Sequence, residues 1–340
     1  MNLRSWTVEV FEWIETNLGP EPCSSVDLLY DYMESQSFEC LPVIYKPFDA
    51  ANRSHWCDRG SMFDFLHATR GEGRRLLDFG PGDGWPSLIV APHAGEVVGV
   101  DGSERRVRVC RENAKRLGLD NTEFLHVAPG DPLPFDQESF DGVMAASSIE
   151  QAPDPRAVLR EFYRVLKPGG RLRMTYEDLD RYRDSSRHET WVWPLDDGCT
   201  RLVLYDRHIE DESATMYGIT FAGSAGDLGL PVDDSGALPF DRVTAPLLDS
   251  VKRHVAGAVV CRLSHPSGRT YSDWLHEIAF AEVIPSHSGA HFAGELFDRL
   301  SVDERPGDMH SIDAMIGPAV GVVVEMRAPL ASNPRITAVK

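Results

Sequence analysis

Residues 75–86 have the sequence RLLDFGPGDGWP, in which an apolar segment runs into a turn with three glycines at alternate positions. The apolar part predicts a short buried strand. Gly80, Gly82 and Gly84 permit backbone conformations with positive φ and let a ligand press against bare backbone. Pro86 suits the first turn of a following helix. The stretch predicts a strand, a ligand-binding turn and a helix, although a plain strand-to-helix turn explains the same residues.

Short apolar runs alternate with amphipathic stretches throughout 75–176. Further strands are predicted at 96–101, 122–127, 140–145 and 171–176. Helices are predicted at 103–117, where Ser103 is the N-cap and Gly118 the C-terminal stop, and at 155–166. Because right-handed crossovers join parallel strands, this pattern predicts a doubly wound, mostly parallel α/β sheet with its ligand at the carboxyl ends of the strands.

A dinucleotide-binding dehydrogenase is the main rival for a glycine-rich turn of this kind. Its fingerprint, G-x-G-x-x-G, requires a third glycine where this chain has Trp85 or Ser87. Asp78, two residues before the first glycine, suits a ligand ammonium better than a pyrophosphate. Asp101 does not discriminate, because both classes of protein place an acid there for ribose hydroxyls. The spacing therefore argues against a dinucleotide site.

Four segments in this region stand in a characteristic order. They are LDFGPGDG (77–84), VGVDGS (98–103), GD with LPF and SFD (130–141), and RVLKPGGRL (164–172). Together they resemble the class I S-adenosylmethionine-dependent methyltransferases, close to the type-11 group of small-molecule and quinone-type enzymes. The resemblance implies a Rossmann-like fold and S-adenosylmethionine as the cofactor.

The resemblance also assigns the cofactor contacts, with the amino-acid part at the first segment and the ribose at Asp101. The implied cofactor-binding residues are Asp78, Gly80, Gly82, Gly84, Asp101, Gly102, Asp131 and Ser147. Two departures affect the transfer. The segment between Asp131 and Leu133 is short, which bears on an adenine contact at Asp131. Where the family commonly has a Glu-His pair, this chain has Glu150 and Gln151, so no histidine is expected there.

The chain is predicted to have four parts. They are a helical N-terminal cap or lid (1–72), the Rossmann-like cofactor-binding core (73–176), a large substrate-binding insertion after the fifth strand (177–268), and a C-terminal part that completes the sheet (269–340). An insertion of this length, at the edge where substrate lies, is typically functional or has its own structure.

Individual elements are also predicted outside the core. The C-terminal part is expected to hold a helix at 270–280 and an antiparallel strand pair at 281–286 and 321–327. Within the insertion, 191–193 and 202–205 flank an Asp-Asp-Gly turn and predict a hairpin. The segment 41–49, ending near Trp56, is a candidate lid.

Candidate catalytic residues are Tyr45 in the lid and His188 and His208 in the insertion, the latter two with Asp206 and Glu210 nearby in sequence. Methyl transfer needs alignment of the nucleophile, methyl carbon and sulfur, and exclusion of water. A base is needed only when the nucleophile carries a proton. Ordinary packing of the cap and a solvated hairpin edge explain the same residues.

Six cysteines, at 23, 40, 57, 110, 199 and 261, contain no close C-x-x-C pair, which indicates free thiols. A convergence of Cys40, Cys57, Cys199 and Cys261 would instead indicate a thiol trap for a metalloid. Ser286, His287 and His291 fit either a metal site or a loop before a helix, and we expect no metal.

The chain has 340 residues, with 34 basic against 53 acidic residues and a formal charge of −19. This charge repels phosphate backbones and anionic lipid, so neither nucleic acid nor a membrane is expected as a partner. The densest basic patch, at Arg105, Arg106 and Arg108, is predicted to be an exposed helix face. No apolar run reaches bilayer length and the first residues lack a signal-peptide core, which predicts a cytoplasmic protein.

The functional hypothesis is a methyltransferase that acts on an O, N or S nucleophile of a small-molecule acceptor. Two alternatives stay open at this point, namely a thiol-trapping metalloid methyltransferase and a cofactor-binding regulatory protein without chemistry. An oligomer through the N-terminal helices is possible on this pattern.

Overall fold

The computed structural model describes residues 3–30, 48–183, 187–195, 197–233 and 237–340. In these ranges the helices are α1 (Leu3–Leu18), α2 (Arg53–Thr69), α3 (Ser87–Val90), α4 (Glu104–Leu117), α5 (Pro155–Val165), α6 (Ala245–Val251), α7 (Gly268–Glu277), α8 (Gly289–Arg299) and α9 (Met309–Val323). The strands are β1 (Glu21–Pro22), β2 (Arg75–Phe79), β3 (Glu96–Asp101), β4 (Thr122–His126), β5 (Phe140–Ala146), β6 (Leu166–Thr175), β7 (His188–Pro194), β8 (Thr200–His208), β9 (Ser213–Phe221), β10 (Val255–Ser264), β11 (Glu282–Ser286) and β12 (Arg335–Val339). None of the helices in the described ranges is long and apolar enough to span a bilayer.

A seven-stranded sheet has the strand order β11-β12-β6-β5-β2-β3-β4. The strands from β6 to β4 are parallel, and at one edge β12 is antiparallel to both of its neighbours, β6 and β11. The chain runs outward from β2 through β3 to β4 and then returns to β5 on the other side of β2. This reversal is the switch point at which doubly wound sheets bind ligands. The predicted Rossmann-like, mostly parallel sheet is confirmed.

Helices cover both faces of this sheet because its central strands are apolar on both sides. Leu76 and Leu77 are adjacent on β2 and fully buried. Leu76 packs in a cluster with Met62 of α2, whereas Leu77 packs in a cluster with Phe162 of α5. Alternate side chains of a strand point to opposite faces, so β2 lies in the middle of a three-layer core.

Local capping signals define α4 as predicted. The Ser103 side chain accepts a hydrogen bond from the backbone N–H of Arg106, and Gly118 ends the helix in the left-handed region at φ 69°. The helix therefore begins directly after β3, with its first turn at the carboxyl edge of the sheet.

The C-terminal part differs from the prediction. The strand expected at 321–327 is wrong, because α9 extends to Val323, and the partner of β11 is β12. Ile312, Ile316 and Val320 recur at four-residue spacing and are fully buried, which is the stripe of an amphipathic helix. The valine run at the end of this stripe resembles a strand only when it is taken alone.

The chain divides into two compact units. The first combines the described part of Met1–Ser37 with Leu179–His265, and the second combines the described part of Phe38–Asp178 with Pro266–Lys340. Residues 1–72 are therefore not one cap. In the first unit α1 contacts α6 and buries Val10 and Ile14 against the insertion, whereas in the second unit α2 packs on α8 and α9. The apolar face of α1 packs against the insertion, and the apolar face of α2 packs against α8 and α9.

The first unit contains a five-stranded sheet in the order β1-β10-β9-β8-β7. The strands β7 and β8 form an antiparallel hairpin in which Trp191 is opposite Val203. Leu202 and Leu204 of β8 face the apolar cluster that contains α1 residues, and Val203 faces a second cluster with Leu28. The insertion thus has its own core on both faces of its own sheet.

A buried ion pair joins helix α2 to strand β6 in the second unit. Arg173 donates from Nε to Asp64 Oδ1 at 2.8 Å and from Nη2 to Oδ2 at 2.9 Å, and both side chains are completely buried. The backbone N–H of Gly289, at the start of α8, donates to the same carboxylate at 2.7 Å. Burial raises the pKa of Asp64, but Arg173 and Arg335 outweigh this and lower the pKa to about 2. Asp64 therefore stays ionised.

The same guanidinium accounts for the residues that suggested a metal site. Arg173 Nη1 donates to Ser286 Oγ at 2.7 Å and to Thr337 Oγ1 at 3.0 Å, and Nη2 donates to the carbonyl of His287 at 3.1 Å. His291 is on the surface of α8. Within the described ranges, no group of three or more His, Cys, Asp or Glu side chains could hold a metal ion.

Replacing Asp64 with Asn should destabilise the second unit by about 3–5 kcal/mol, because it leaves two buried guanidiniums without a carboxylate. In the parent protein this contribution is complete above pH ~4, the range of an unfolded aspartate, and is lost as the pH falls toward 2. Urea unfolding followed by circular dichroism measures both effects. Asp298→Asn is the matched control, since the half-exposed Asp298–Arg53 pair also joins α2 to α8. Equal losses in both variants would contradict this account.

Candidate active site

The glycine turn after β2 leaves room for a ligand against its backbone. Gly80 has φ 72° and Gly82 has φ 56°, which side-chain-bearing residues rarely adopt. A Cβ on Gly80 would lie 2.5 Å from the Cβ of Ser148, so only glycine fits there. A Cβ on Gly82 would meet no atom within 4 Å, so this residue faces open space. Gly84 closes the turn by donating its N–H to Pro81 O at 2.8 Å.

Asp78 lies beneath this turn as a completely buried carboxyl group. Its Oδ2 accepts hydrogen bonds from the backbone N–H and the hydroxyl of Ser87, at 3.0 and 2.6 Å. Its Oδ1 has no hydrogen-bond partner among the described residues. Burial raises the pKa of Asp78 to about 7. A buried oxygen without a donor is costly, and a cationic or N–H-bearing ligand at this oxygen would supply the missing partner.

Asp101 ends β3 and is held between two backbone donors. Its Oδ1 accepts from the N–H of Ser103 at 2.9 Å, and its Oδ2 accepts from the N–H of Gly82 at 3.1 Å. Burial raises its pKa, yet both oxygens keep unused lone pairs. A carboxylate fixed beside an open glycine turn can accept two hydrogen bonds from vicinal hydroxyls. The site therefore fits the ribose and the amino-acid part of S-adenosylmethionine.

One face of α4 braces the glycine turn from behind. Arg106 forms an ion pair with Asp83, Cys110 Sγ donates to Gly82 O at 3.1 Å, and Asn113 Nδ2 donates to Asp83 O at 3.2 Å. The predicted exposure of Arg106 is therefore wrong, because this side chain is only 3% exposed. The spacing of four and then three residues on α4 was the available sequence signal.

The other residues assigned to the cofactor lie after β3, β4 and β5, at the carboxyl edge. The carbonyl of Gly102 is 3.0 Å from His126 Nε2, and the backbone N–H of Asp131 donates to Ala128 O at 3.0 Å. Ser147 has φ 52°, and its hydroxyl is 3.0 Å from Thr175 Oγ1. The Asp131 side chain is exposed.

Glu150 is a buried carboxyl group that sequence reasoning missed. It lies in a short 3-10 segment (Ile149–Gln151) after β5, and it is 2% exposed. Its Oε1 accepts from the N–H of Glu177 at 3.1 Å, and its Oε2 has no partner among the described residues. Burial raises its pKa to about 7. Its location next to Ile149, directly after a buried strand, was a weak signal for this burial.

The predicted lid is only partly described. Tyr45 lies outside the described residues. Trp56, expected near the end of the lid, instead belongs to the core of the second unit, where it is fully buried with its ring edge-on to Phe297 at 5.5 Å. The Phe48 ring lies 5.5 Å from the His55 ring. Trp56 lies on the apolar face of α2 and packs in the core, so it is not available to act as part of a lid.

In the insertion, two candidate histidines share one carboxylate. His188 Nε2 lies 3.1 Å from Asp206 Oδ1, and His208 Nε2 lies 3.6 Å from Asp206 Oδ2. His208 Nε2 is also 3.1 Å from Thr215 Oγ1. The register of β7 with β8 places His188 opposite Asp206, and His208 lies two residues further along the same face. Glu210 instead pairs with arginines at the surface.

Aromatic rings flank this pair of histidines. The His188 ring stacks on Phe240 at 4.6 Å between centroids, and Phe11 of α1 is 6.0 Å from it. Beside them, the Tyr217 hydroxyl donates to Glu15 Oε1 at 2.8 Å. Burial, followed by this carboxylate, raises the pKa of Tyr217. An apolar wall next to polar groups is the composition of a small-molecule site.

Two of the candidate cysteines, Cys199 and Cys261, lie far apart within the first unit. Cys261 is buried in the sheet of the first unit, where burial raises its pKa to about 12. Cys261 on β10 is opposite Met216 on β9, which is opposite Tyr205 on β8. Cys199 precedes Tyr205 by six residues. Six residues of extended chain span about 20 Å. Cys40 lies outside the described residues, and Cys57 is on α2.

Known proteins resemble this chain mainly in the core. Residues 77–174 match a family model described as a methyltransferase domain. A demethylmenaquinone methyltransferase of Clavibacter sepedonicus is 41% identical over 100 residues, or 29% of this chain and 40% of that protein. The 24-methylenesterol C-methyltransferase 2 of Oryza sativa subsp. japonica is 35% identical over 153 residues, or 44% and 40% of the two chains. The chain thus spans about two fifths of these curated relatives.

Among solved structures, the CcbJ methyltransferase of Streptomyces caelestis has a TM-score of 0.48 and 14% sequence identity, with coverage of 83% of this chain and 94% of that one. The residues that match the methyltransferase-domain model, 77–174, begin within β2, include the glycine turn and end within β6.

Replacing Arg106 with Gln should loosen the glycine turn, because a charge-assisted hydrogen bond contributes about 1.5–3 kcal/mol. Amide hydrogen exchange at residues 82–85 should accelerate about tenfold or more, since each ~1.4 kcal/mol of local opening changes the opening equilibrium tenfold. The matched control is Arg108→Gln, an exposed position on the same helix. Unchanged exchange in Arg106→Gln would show that the turn does not depend on α4.

Proposed function

We propose that residues 77–174 form a class I S-adenosylmethionine-dependent methyltransferase domain and that the chain transfers a methyl group from S-adenosylmethionine to an O, N or S atom of a small molecule. One observation carries this proposal, namely the Asp101 carboxylate that is fixed by Gly82 and Ser103 beside an open glycine turn. Such a carboxylate suits a ribose diol, and the spacing of the glycines argues against a dinucleotide.

Different residues of the core would hold different parts of the cofactor. When bound, the cofactor supplies an electrophilic methyl group on a sulfonium. Asp101 would accept the ribose hydroxyls, and the unpartnered oxygen of Asp78 would accept from the amino group. The backbone of Gly82 would lie against the ligand. Because these groups are fixed by buried hydrogen bonds, they orient the reacting carbon before an acceptor arrives.

We also propose that the insertion binds the acceptor. The formal charge of −19 disfavours nucleic acid and anionic lipid surfaces, which supports a small-molecule acceptor. In the insertion, Asp206 holds His188 within hydrogen-bond distance and lies next to His208. A ring nitrogen of this pair would accept the proton that an O–H or N–H acceptor loses as it takes the methyl group.

Purified protein should bind S-adenosylhomocysteine and not NAD, which titration calorimetry measures directly. Asp101→Ala should weaken this binding by about 1.5–3 kcal/mol through the loss of a charge-assisted contact. Asp120→Ala is the matched control, since Asp120 is exposed at the amino edge of the sheet. Nicotinamide binding without S-adenosylhomocysteine binding would overturn the assignment. Incubation of pooled metabolites with methyl-labelled cofactor, followed by mass spectrometry, identifies the acceptor.

With that acceptor, His188→Ala and His208→Ala are assayed separately. The variant that lacks the proton-accepting ring should have a kcat at least about 100-fold lower than that of the parent. Its S-adenosylhomocysteine affinity should stay that of the parent, and the kcat deficit should shrink at higher pH. Asp206→Asn should show a smaller deficit of the same kind, because this carboxylate orients the rings. Glu210→Gln, at an exposed ion pair, serves as the control. Variants that lose cofactor affinity but turn over the acceptor normally would refute the acceptor role of the insertion.

A further inference from the structure

Glu150 lies in the segment that follows β5, at the carboxyl edge of the sheet and next to its switch point. Asp101 at the end of β3 marks one end of the ligand site, and the switch point lies between β2 and β5. Ser148, after β5, closes the other side of the glycine turn, because its hydroxyl donates to Phe79 O at 2.5 Å and its Cβ lies against Gly80. Glu150 follows Ser148 by two residues in the same segment after β5.

The carboxyl group of Glu150 is buried and only half satisfied. The side chain is 2% exposed, and Oε1 accepts the N–H of Glu177, whereas Oε2 has no hydrogen-bond partner among the described residues. A buried carboxyl oxygen without a partner is destabilising, so such a group is retained where a ligand supplies the partner.

The charged neighbour that acts on Glu150 is Glu177, which follows β6. Burial first, and then the like charge of Glu177, raise the pKa of Glu150 to about 7. A cation brought against Oε2 would favour the ionised form and expel the carboxyl proton. Glu150 thus has the properties of a group that binds a positively charged ligand.

We propose that Glu150 faces the sulfonium end of the cofactor and stabilises its positive charge relative to the neutral thioether product. This inference rests on the proposed function. Asp78, beneath the turn, is the second buried carboxyl group with an unpartnered oxygen, and it would face the amino group, which cofactor and product share. The two carboxyls therefore have separable effects, since only Glu150 distinguishes S-adenosylmethionine from S-adenosylhomocysteine.

Calorimetric titrations of the full chain with S-adenosylmethionine and with S-adenosylhomocysteine test this role without an acceptor. At pH 7, titrations in phosphate and in Tris give the number of protons released, because the two buffers differ in ionisation enthalpy. The parent protein should release more protons with S-adenosylmethionine, and its preference for this ligand should increase from pH 6 to pH 8. The difference between ligands isolates Glu150, since any proton released from Asp78 is common to both.

Glu150→Gln should lower the affinity ratio of S-adenosylmethionine to S-adenosylhomocysteine at least about tenfold, because an opposite charge 4–6 Å away moves a carboxyl pKa by about 1–3. It should also abolish the difference in proton release. Asp78→Asn is the control, and it should weaken both ligands while it preserves their ratio. Glu150→Asp retains the charge and should keep part of the preference.

An unchanged ratio and unchanged proton release in a Glu150→Gln variant that unfolds at the parent temperature would overturn the role of Glu150. A loss of the preference in Asp78→Asn alone would assign the sulfonium to Asp78 instead and would also overturn it. Failure of the parent protein to bind either ligand is a different result, since it rejects the proposed function itself.

Discussion

The hydrogen bond from the N–H of Gly82 to the Asp101 carboxylate is the constraint on which the site depends. It joins the turn after β2 to the end of β3, so two neighbouring strands present one rigid surface. Ser103 fixes the second oxygen of the same carboxylate and caps α4, which braces the turn from behind. The Asp101 side chain thereby links the glycine turn to the start of α4 at the candidate site.

Sequence patterns predicted the core because its signals are local. Ser103 and Gly118 cap α4 through their own backbone geometry, and the strands of the parallel sheet are short apolar runs. The errors concern the wider context of a segment. The first residues of the strand expected at 321–327 instead end α9, whose buried stripe begins upstream at Ile312, and α1 packs with the insertion, which is far away in sequence.

Within the candidate site, the sequence identified groups by type but not by environment. His188 and His208 were candidates one at a time, and only the register of β7 with β8 places both next to Asp206. Arg106 is expected on the surface because arginine usually is. Its burial results from the ion pair with Asp83, which lies on the glycine turn and outside the helical pattern of α4. Glu150 was overlooked because an acid after a strand looks solvated unless its burial is known.

The pairing of α1 with the insertion has a consequence for synthesis on the ribosome. At about 5–20 residues per second, α1 waits many seconds for its partner strands, with the apolar face around Val10 and Ile14 uncovered. The second unit is likewise interrupted, because β12 must return to β6 after the insertion has been made. The first unit is complete only after β10 has left the tunnel and the second only after β12 has, so both units keep apolar surface uncovered during much of translation.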